Sequence, residues 1–203
     1  LVARVHRDIE DAGPLPDLDH LTEADYDAIA DRLLGAAPDP RDVAIFACGS
    51  LIWRPACDID GQAPALLRGW HRRFCLRLRR WRGTEDCHGL MMALDRGGSC
   101  RGVVQRIAGR NVAARIGQLL RREISTKPST QNPHWVTLDC AGERRRAIAF
   151  VIDRGGPSYC SRLSFDETAD MLARACGHWG SGAEYLMNTV AHQIGRASCR
   201  ERV

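Results

Sequence analysis

The chain has 203 residues, 44% of them apolar and 27% charged, with 29 basic against 25 acidic side chains and a formal net charge of +4. Such a composition suits one globular domain with a full core and at most a small extension. No apolar run approaches the roughly 18 residues that a bilayer-spanning helix needs, and so small a net charge argues against a dedicated binder of polyanions.

In chain order, residues 1–19 set Gly13, Pro14 and Pro16 among charges and read as an extended lead-in. Thr22 with Asp25 three residues on forms a capping box, and Tyr26, Ile29, Leu33 and Leu34 supply one apolar face of the helix it starts. The Ala-Ala-Pro-Asp-Pro run at 36–40 breaks that helix, so residues 1–40 are expected to be an N-terminal extension and residues 41–193 the main domain. Residues 43–47 make a short apolar strand that feeds a turn at Gly49 and Ser50. Over 66–79 the pattern alternates, with Phe74, Leu76 and Leu78 on one face and Arg73, Cys75, Arg77 and Arg79 on the other. Segments 90–94 and 101–107 read as two strands of a hairpin turning at 96–99. A helix from Asn111 to Glu123 follows, then an aperiodic polar loop at 125–134 and strands at 135–140 and 146–152 around a turn at 141–143. Two capped helices, opened by Ser164 with Glu167 and by Ser181 with Glu184, close the chain. Strands interrupted by one internal helix, without regular alternation, predict an α+β domain built on a mixed, curved β-sheet or small β-barrel with flanking helices.

Both ends invite comment. The chain opens on Leu1 with no charged-then-apolar leader, which reads as a start lying upstream. Residues 194–203 spell IGRASCRERV, the translation of one frame of a common sequencing adapter, so the native sequence is expected to stop near Gln193. Among the eight cysteines before that point there is no CxxC and no zinc spacing to a histidine pair, which predicts free thiols, no metal and a cytoplasmic location.

Two features carry chemistry. Val112, Ile116, Leu119 and Leu120 recur at helical spacing, and Glu123 continues their face, so the core-facing stripe ends in a carboxylate. An acid held against apolar surroundings has its ionised form disfavoured, and its pKa rises toward the range where it can take and return a proton near neutral pH. The alternative is an ordinary last-turn acid paired with Arg121 or Arg122. The second feature is the corner at Gly49 and Ser50, where glycine lets backbone approach a ligand and successive N–H groups can hold a carboxylate.

The run Phe46, Ala47, Cys48, Gly49, Ser50, Leu51, Ile52, Trp53 and Pro55 resembles the YGSL(I/M)W motif of the ChaC-like γ-glutamylcyclotransferases. The resemblance continues through Gly69-Trp70-His71-Arg72-Arg73-Phe74-Cys75-Leu76-Arg77-Leu78, Arg82-Gly83-Thr84, Met92-Ala93-Leu94, Gly97-Gly98, Gly102-Val103, Arg122-Glu123 and the segment 180–188, covering about 42–193. It implies an enzyme that cleaves a γ-glutamyl amide, glutathione in this branch, when the substrate's own α-amino group attacks its γ-carbonyl. The products are 5-oxoproline and cysteinylglycine. No cofactor or metal is implied, since ring closure of this kind reaches effective molarities on the order of 10⁵ M when the geometry is right. Glu123 falls on the family's catalytic glutamate as base and then acid. Ile45, Phe46, Ala47, Cys48, Gly49, Ser50 and Leu51 would hold the γ-glutamyl head, and Tyr159 falls near a tyrosine of relatives that could add a hydroxyl. Two departures stand out: Cys48 replaces the motif's tyrosine, which implies weaker positioning there, and the loop STKPSTQNPHW after Ile124 differs from that of many relatives.

Two other readings compete. Arg68, Arg72, Arg73, Arg77, Arg79, Arg80 and Arg82, interleaved with Trp70 and Trp81, could form a basic nucleic-acid-binding module. Cys48 with His71 or His88 could make a cysteine-nucleophile amidohydrolase, although no motif places nucleophile and base together.

Overall fold

A computed structural model of the protein describes residues 2–161 and 163–194. Residues 195–203, most of the adapter-like tail, lie outside the described residues. Five strands, β1 (Asp42–Ala47), β2 (Gly61–Leu78), β3 (Gly89–Ala108), β4 (Gln131–Cys140) and β5 (Glu143–Ile152), close into a barrel in the order β1-β3-β2-β4-β5. The sheet is mixed: β5 runs parallel to β1 at Ile45 and Ile148 and to β3 at Leu94 and Val151, and the other pairings are antiparallel. Around it lie a short α1 (Val2–Val5), α2 (Glu23–Gly35), α3 (Val112–Glu123), α4 (Phe165–Arg174) and α5 (Gly182–Ile194), with a two-stranded ribbon of β6 (Cys176–Gly177) and β7 (Gly180–Ser181).

The unbroken apolar run of β1 is explained by burial on both faces. Ala44 and Phe46 point into the barrel, against Ala65, Leu67, Leu94, Val104, Leu138 and the alternate residues Ala147, Ala149 and Val151 of β5. Val43, Ile45 and Ala47 face outward, where α2 and α3 cover them with Tyr26, Leu33, Val112, Ile116, Leu119 and Leu120. Burying each large aliphatic side chain there contributes about 1.5–3 kcal/mol. The Thr22 and Ser164 capping boxes both form. Ser181 Oγ accepts from the Glu184 N–H, while the Glu184 carboxylate accepts from Arg82 Nη1 at 3.0 Å.

Three expectations are corrected. The segments 90–94 and 101–107 are not a hairpin but parts of one 20-residue strand, β3, which pairs with β2 along nearly its whole length. Gly97 and Gly98, both at positive φ, sit opposite Gly69, also at positive φ, at a register shift, so the glycines bend the ribbon instead of reversing it. Strict alternation in β2 fails at Cys75, which is bulged between the pairs Phe74–Met92 and Leu76–Met91 and is fully buried. As a result Phe74 packs with Leu90 and Leu172, and Leu76 with Cys75 and Ile152. The lead-in also holds the short helix α1 before its extended part.

Candidate active site

At the end of β1 the chain turns through Cys48 and Gly49 into a single 3-10 turn, Ser50–Ile52. Leu51 and Ile52 are buried, Gln105 Nε2 donates to the Leu51 carbonyl at 2.8 Å, and Arg72 Nη1 donates to the Cys48 carbonyl at 3.0 Å. These contacts fix the corner. Its own hydrogen bonds begin at the Ile52 N–H, which leaves the Ser50 and Leu51 N–H groups outside the turn's ladder. At Gly49 a Cβ would come 3.2 Å from the Tyr185 hydroxyl, so only a bare Cα gives that phenol its present clearance.

Glu123 reaches the same corner from the last turn of α3, which stops there because Ile124 is extended and buried. Gln131 Nε2, at the start of β4, donates to Glu123 Oε2 at 3.1 Å, and Arg122 Nε lies 3.6 Å from Oε1. Arg122 also donates to Ser50 Oγ at 3.2 Å and to the Arg54 carbonyl, tying the acid's neighbour to the glycine corner. Glu123, Cys48, Gly49, Ser50, Leu51, Phe46, Gln131, Met91, Met92 and Tyr185 line one small cavity that opens to solvent.

Burial pushes the Glu123 carboxyl above the usual glutamate range, outweighing Arg122 and the Gln131 hydrogen bond, which both pull it down. The negative end of the α3 dipole acts in the same direction as burial. Burial also lowers the Arg122 pKa, against the pull of Glu123. A base must be ionised to work, so activity is expected to fall as pH drops through this raised pKa, giving an acid limb of kcat/KM above that of an ordinary glutamate. Replacing Arg122 by Gln removes a downward influence and should move the limb to still higher pH. A limb that stays put or moves down in the Arg122→Gln pH profile contradicts this assignment.

Not every expected residue meets here. Ile45 and Ala47 are packed on the outer face of β1 beneath α2 and α3 and do not line the cavity. Tyr159 is not brought to it either: its hydroxyl donates to Asp95 Oδ2 at 3.2 Å and accepts from Arg73 Nη1 at 3.4 Å. Conversely, Tyr185, Gln131 and Met91 were not singled out by the sequence. Tyr185 falls in the family-like segment 180–188 without a role of its own, and Gln131 in a stretch without periodicity. His71, bonded to the Gly97 carbonyl at 3.0 Å, and His88 do not line the cavity of Cys48, so neither histidine faces that thiol. Among the described residues, no group of three or more His, Cys, Asp or Glu side chains is placed to hold a metal ion.

Most arginines of the ribbon have partners within the chain. Arg73 pairs with Asp95, Arg79 with Asp17 and Glu85, Arg80 with Asp11, and Arg82 with Glu184, while Arg72 caps Cys48 and Arg68 lies 3.9 Å from Asp139. Partners within the chain offset the charge that phosphates would need.

The closed mixed barrel with flanking helices is a γ-glutamylcyclotransferase fold. A crystal structure of a γ-glutamyl cyclotransferase specific to glutathione from yeast superposes with a TM-score of 0.72 at 18% identity, covering 80% of this chain and 91% of that one. The chain belongs to the ChaC-like family, whose model, described as ChaC-like protein, matches residues 43–198. The glutathione-specific γ-glutamylcyclotransferase of Escherichia coli K12 is 37% identical over 156 residues, 76% of this chain and 67% of that protein. Glutathione-specific γ-glutamylcyclotransferase 1 of Homo sapiens is 28% identical over 156 residues, 73% and 68% of the two chains.

Proposed function

We propose that the protein cleaves glutathione to 5-oxoproline and cysteinylglycine, with Glu123 as the proton-transfer group and residues 41–193 as the catalytic domain. The observation that carries this reading is the shared cavity: a buried carboxylate and the Gly49-Ser50 corner open onto the same space. The γ-glutamyl head lies at the corner, its carboxylate held by the N–H groups of Ser50 and Leu51 and by the Ser50 hydroxyl. Glu123 takes a proton from the α-ammonium and passes it to solvent, and the freed amine forms a bond to the γ-carbonyl carbon. Glu123 then takes the second proton from the new ring nitrogen and delivers it to the departing amide nitrogen as that C–N bond breaks, so the lactam N–H is left neutral and cysteinylglycine departs as an amine. One carboxylate serves both steps because its pKa is raised, a role worth about 10² to 10⁴ in rate. Tyr185, beside Gly49 and close to Cys48, offers a phenol where position 48 lacks one.

No described helix is long and apolar enough to cross a membrane. All eight described cysteines are free, as thiols of a reducing compartment such as the cytoplasm would be. The test is incubation with glutathione followed by product analysis. Equimolar 5-oxoproline and cysteinylglycine are expected, whereas free glutamate would mean hydrolysis.

A further inference from the structure

The cavity does not end at the acid. Ser50, Met91, Glu123 and Gln131 also line a longer groove, and that groove is lined in addition by Leu15, Leu18 and His20, from the lead-in before α2. This segment lies outside residues 43–198, so the ChaC-like match does not account for it. Its fastening is specific. Arg80 holds Asp11 through Nε at 2.8 Å and Nη2 at 2.7 Å, with His178 Nδ1 3.5 Å from the same carboxylate. Arg79 Nη1 donates to Asp17 at 2.7 Å, the Lys127 N–H to the Asp19 carbonyl at 2.8 Å, and the Leu21 N–H to the Ser125 carbonyl at 3.0 Å. Leu15, Leu18 and His20 are half-buried, while Pro16, Asp17 and Asp19 between them are exposed, so the segment presents one face to the groove.

We infer that residues 11–20 form part of the substrate site and set selectivity for the leaving amine. The inference rests on the cyclotransferase reading: with the γ-glutamyl head at the glycine corner and the scissile carbonyl beside Glu123, whatever leaves must lie along the groove that continues from the acid. Leu15, Leu18, Leu76 and Met91 give that groove an apolar lining, which suits a leaving peptide with a compact, uncharged side chain such as a thiol. Arg79 and Arg80 act through the lead-in, holding it in place. Single exposed ion pairs contribute little, but here two of them pin one short stretch at both ends.

The test uses the full chain, with inhibition of glutathione turnover by each product as the readout. In Leu18→Trp, which crowds the groove, KM for glutathione and Ki for cysteinylglycine should each rise about tenfold, the size of a one-pocket misfit. Ki for 5-oxoproline should stay within about twofold, as should kcat. The double variant Asp11→Asn, Asp17→Asn, altered only at exposed positions, should shift the ratio of the two Ki values in the same direction by about threefold. If neither variant changes that ratio, or both Ki values rise together, the segment is only a structural strap and the inference is overturned. Wild-type protein that makes no 5-oxoproline at all overturns the cyclotransferase reading, and this inference with it.

Discussion

Glu123→Gln should lower kcat for 5-oxoproline formation by about 10² to 10⁴, while KM for glutathione moves less than about threefold. The amide fills the same volume at the end of α3, and its oxygen can still accept from Gln131, so the cavity keeps its shape. What is lost is the capacity to take a proton from the substrate's ammonium and hand it on. With the head group bound at the glycine corner as proposed, and not by the acid, affinity should survive. The residual rate should also lose the acid limb that Glu123 imposes on the wild type. A variant retaining more than about a tenth of wild-type kcat would remove Glu123 from the chemistry.

Asp95→Ala should cost stability on the order of 3 kcal/mol, the lower end of the range for breaking a buried ion pair. Asp95 is 0% exposed and accepts from Arg154 Nε at 2.7 Å, the Arg96 N–H at 2.8 Å, Tyr159 Oη at 3.2 Å and Arg73 Nη1 at 3.3 Å. It therefore joins β2, β3 and the turn after β5 through one carboxylate. Removing it strands the half-buried Arg73, whereas Arg154 can turn to solvent, which places the cost at the lower end. Burial raises the Asp95 pKa, but the Arg154 hydrogen bond, the Arg96 N–H and their companions outweigh it and hold the carboxyl below the usual aspartate range. The sign follows: this stabilisation is present above the unfolded-state pKa and is lost as pH falls through the lowered native one. Thermal melts near neutral pH should show a drop of about 6–12 °C that shrinks toward strong acid. Equal melting temperatures at neutral pH would contradict this role.

Much of this was legible in the sequence where the signal is local. The capping boxes at Thr22 and Ser164, the β1 run and the α3 stripe ending in Glu123 all depend on neighbours within a few residues, and all stand as read. The failures came where distant partners decide. Gly97-Gly98 carries a turn signal, yet opposite Gly69 it becomes a bend in a long ribbon, because pairing with β2 outweighs the local preference for reversal. The arginines of 68–82 suggested a basic module for phosphates, since the acids that pair with several of them, Asp11, Asp17, Asp95 and Glu184, lie elsewhere in the sequence. Tyr159 and Tyr185 are likewise placed by distant partners: the Tyr159 hydroxyl donates to Asp95, and that of Tyr185 lies beside Gly49.

Cyclisation by the substrate's own amine brings no water to the γ-carbonyl, and that separates it from every hydrolytic route. Turnover of glutathione in water enriched in ¹⁸O should yield 5-oxoproline with no heavy oxygen at its ring carbonyl. Heavy oxygen at the former γ-carbonyl, in 5-oxoproline or in glutamate, would contradict a mechanism in which Glu123 moves protons for an attack that comes from within the substrate.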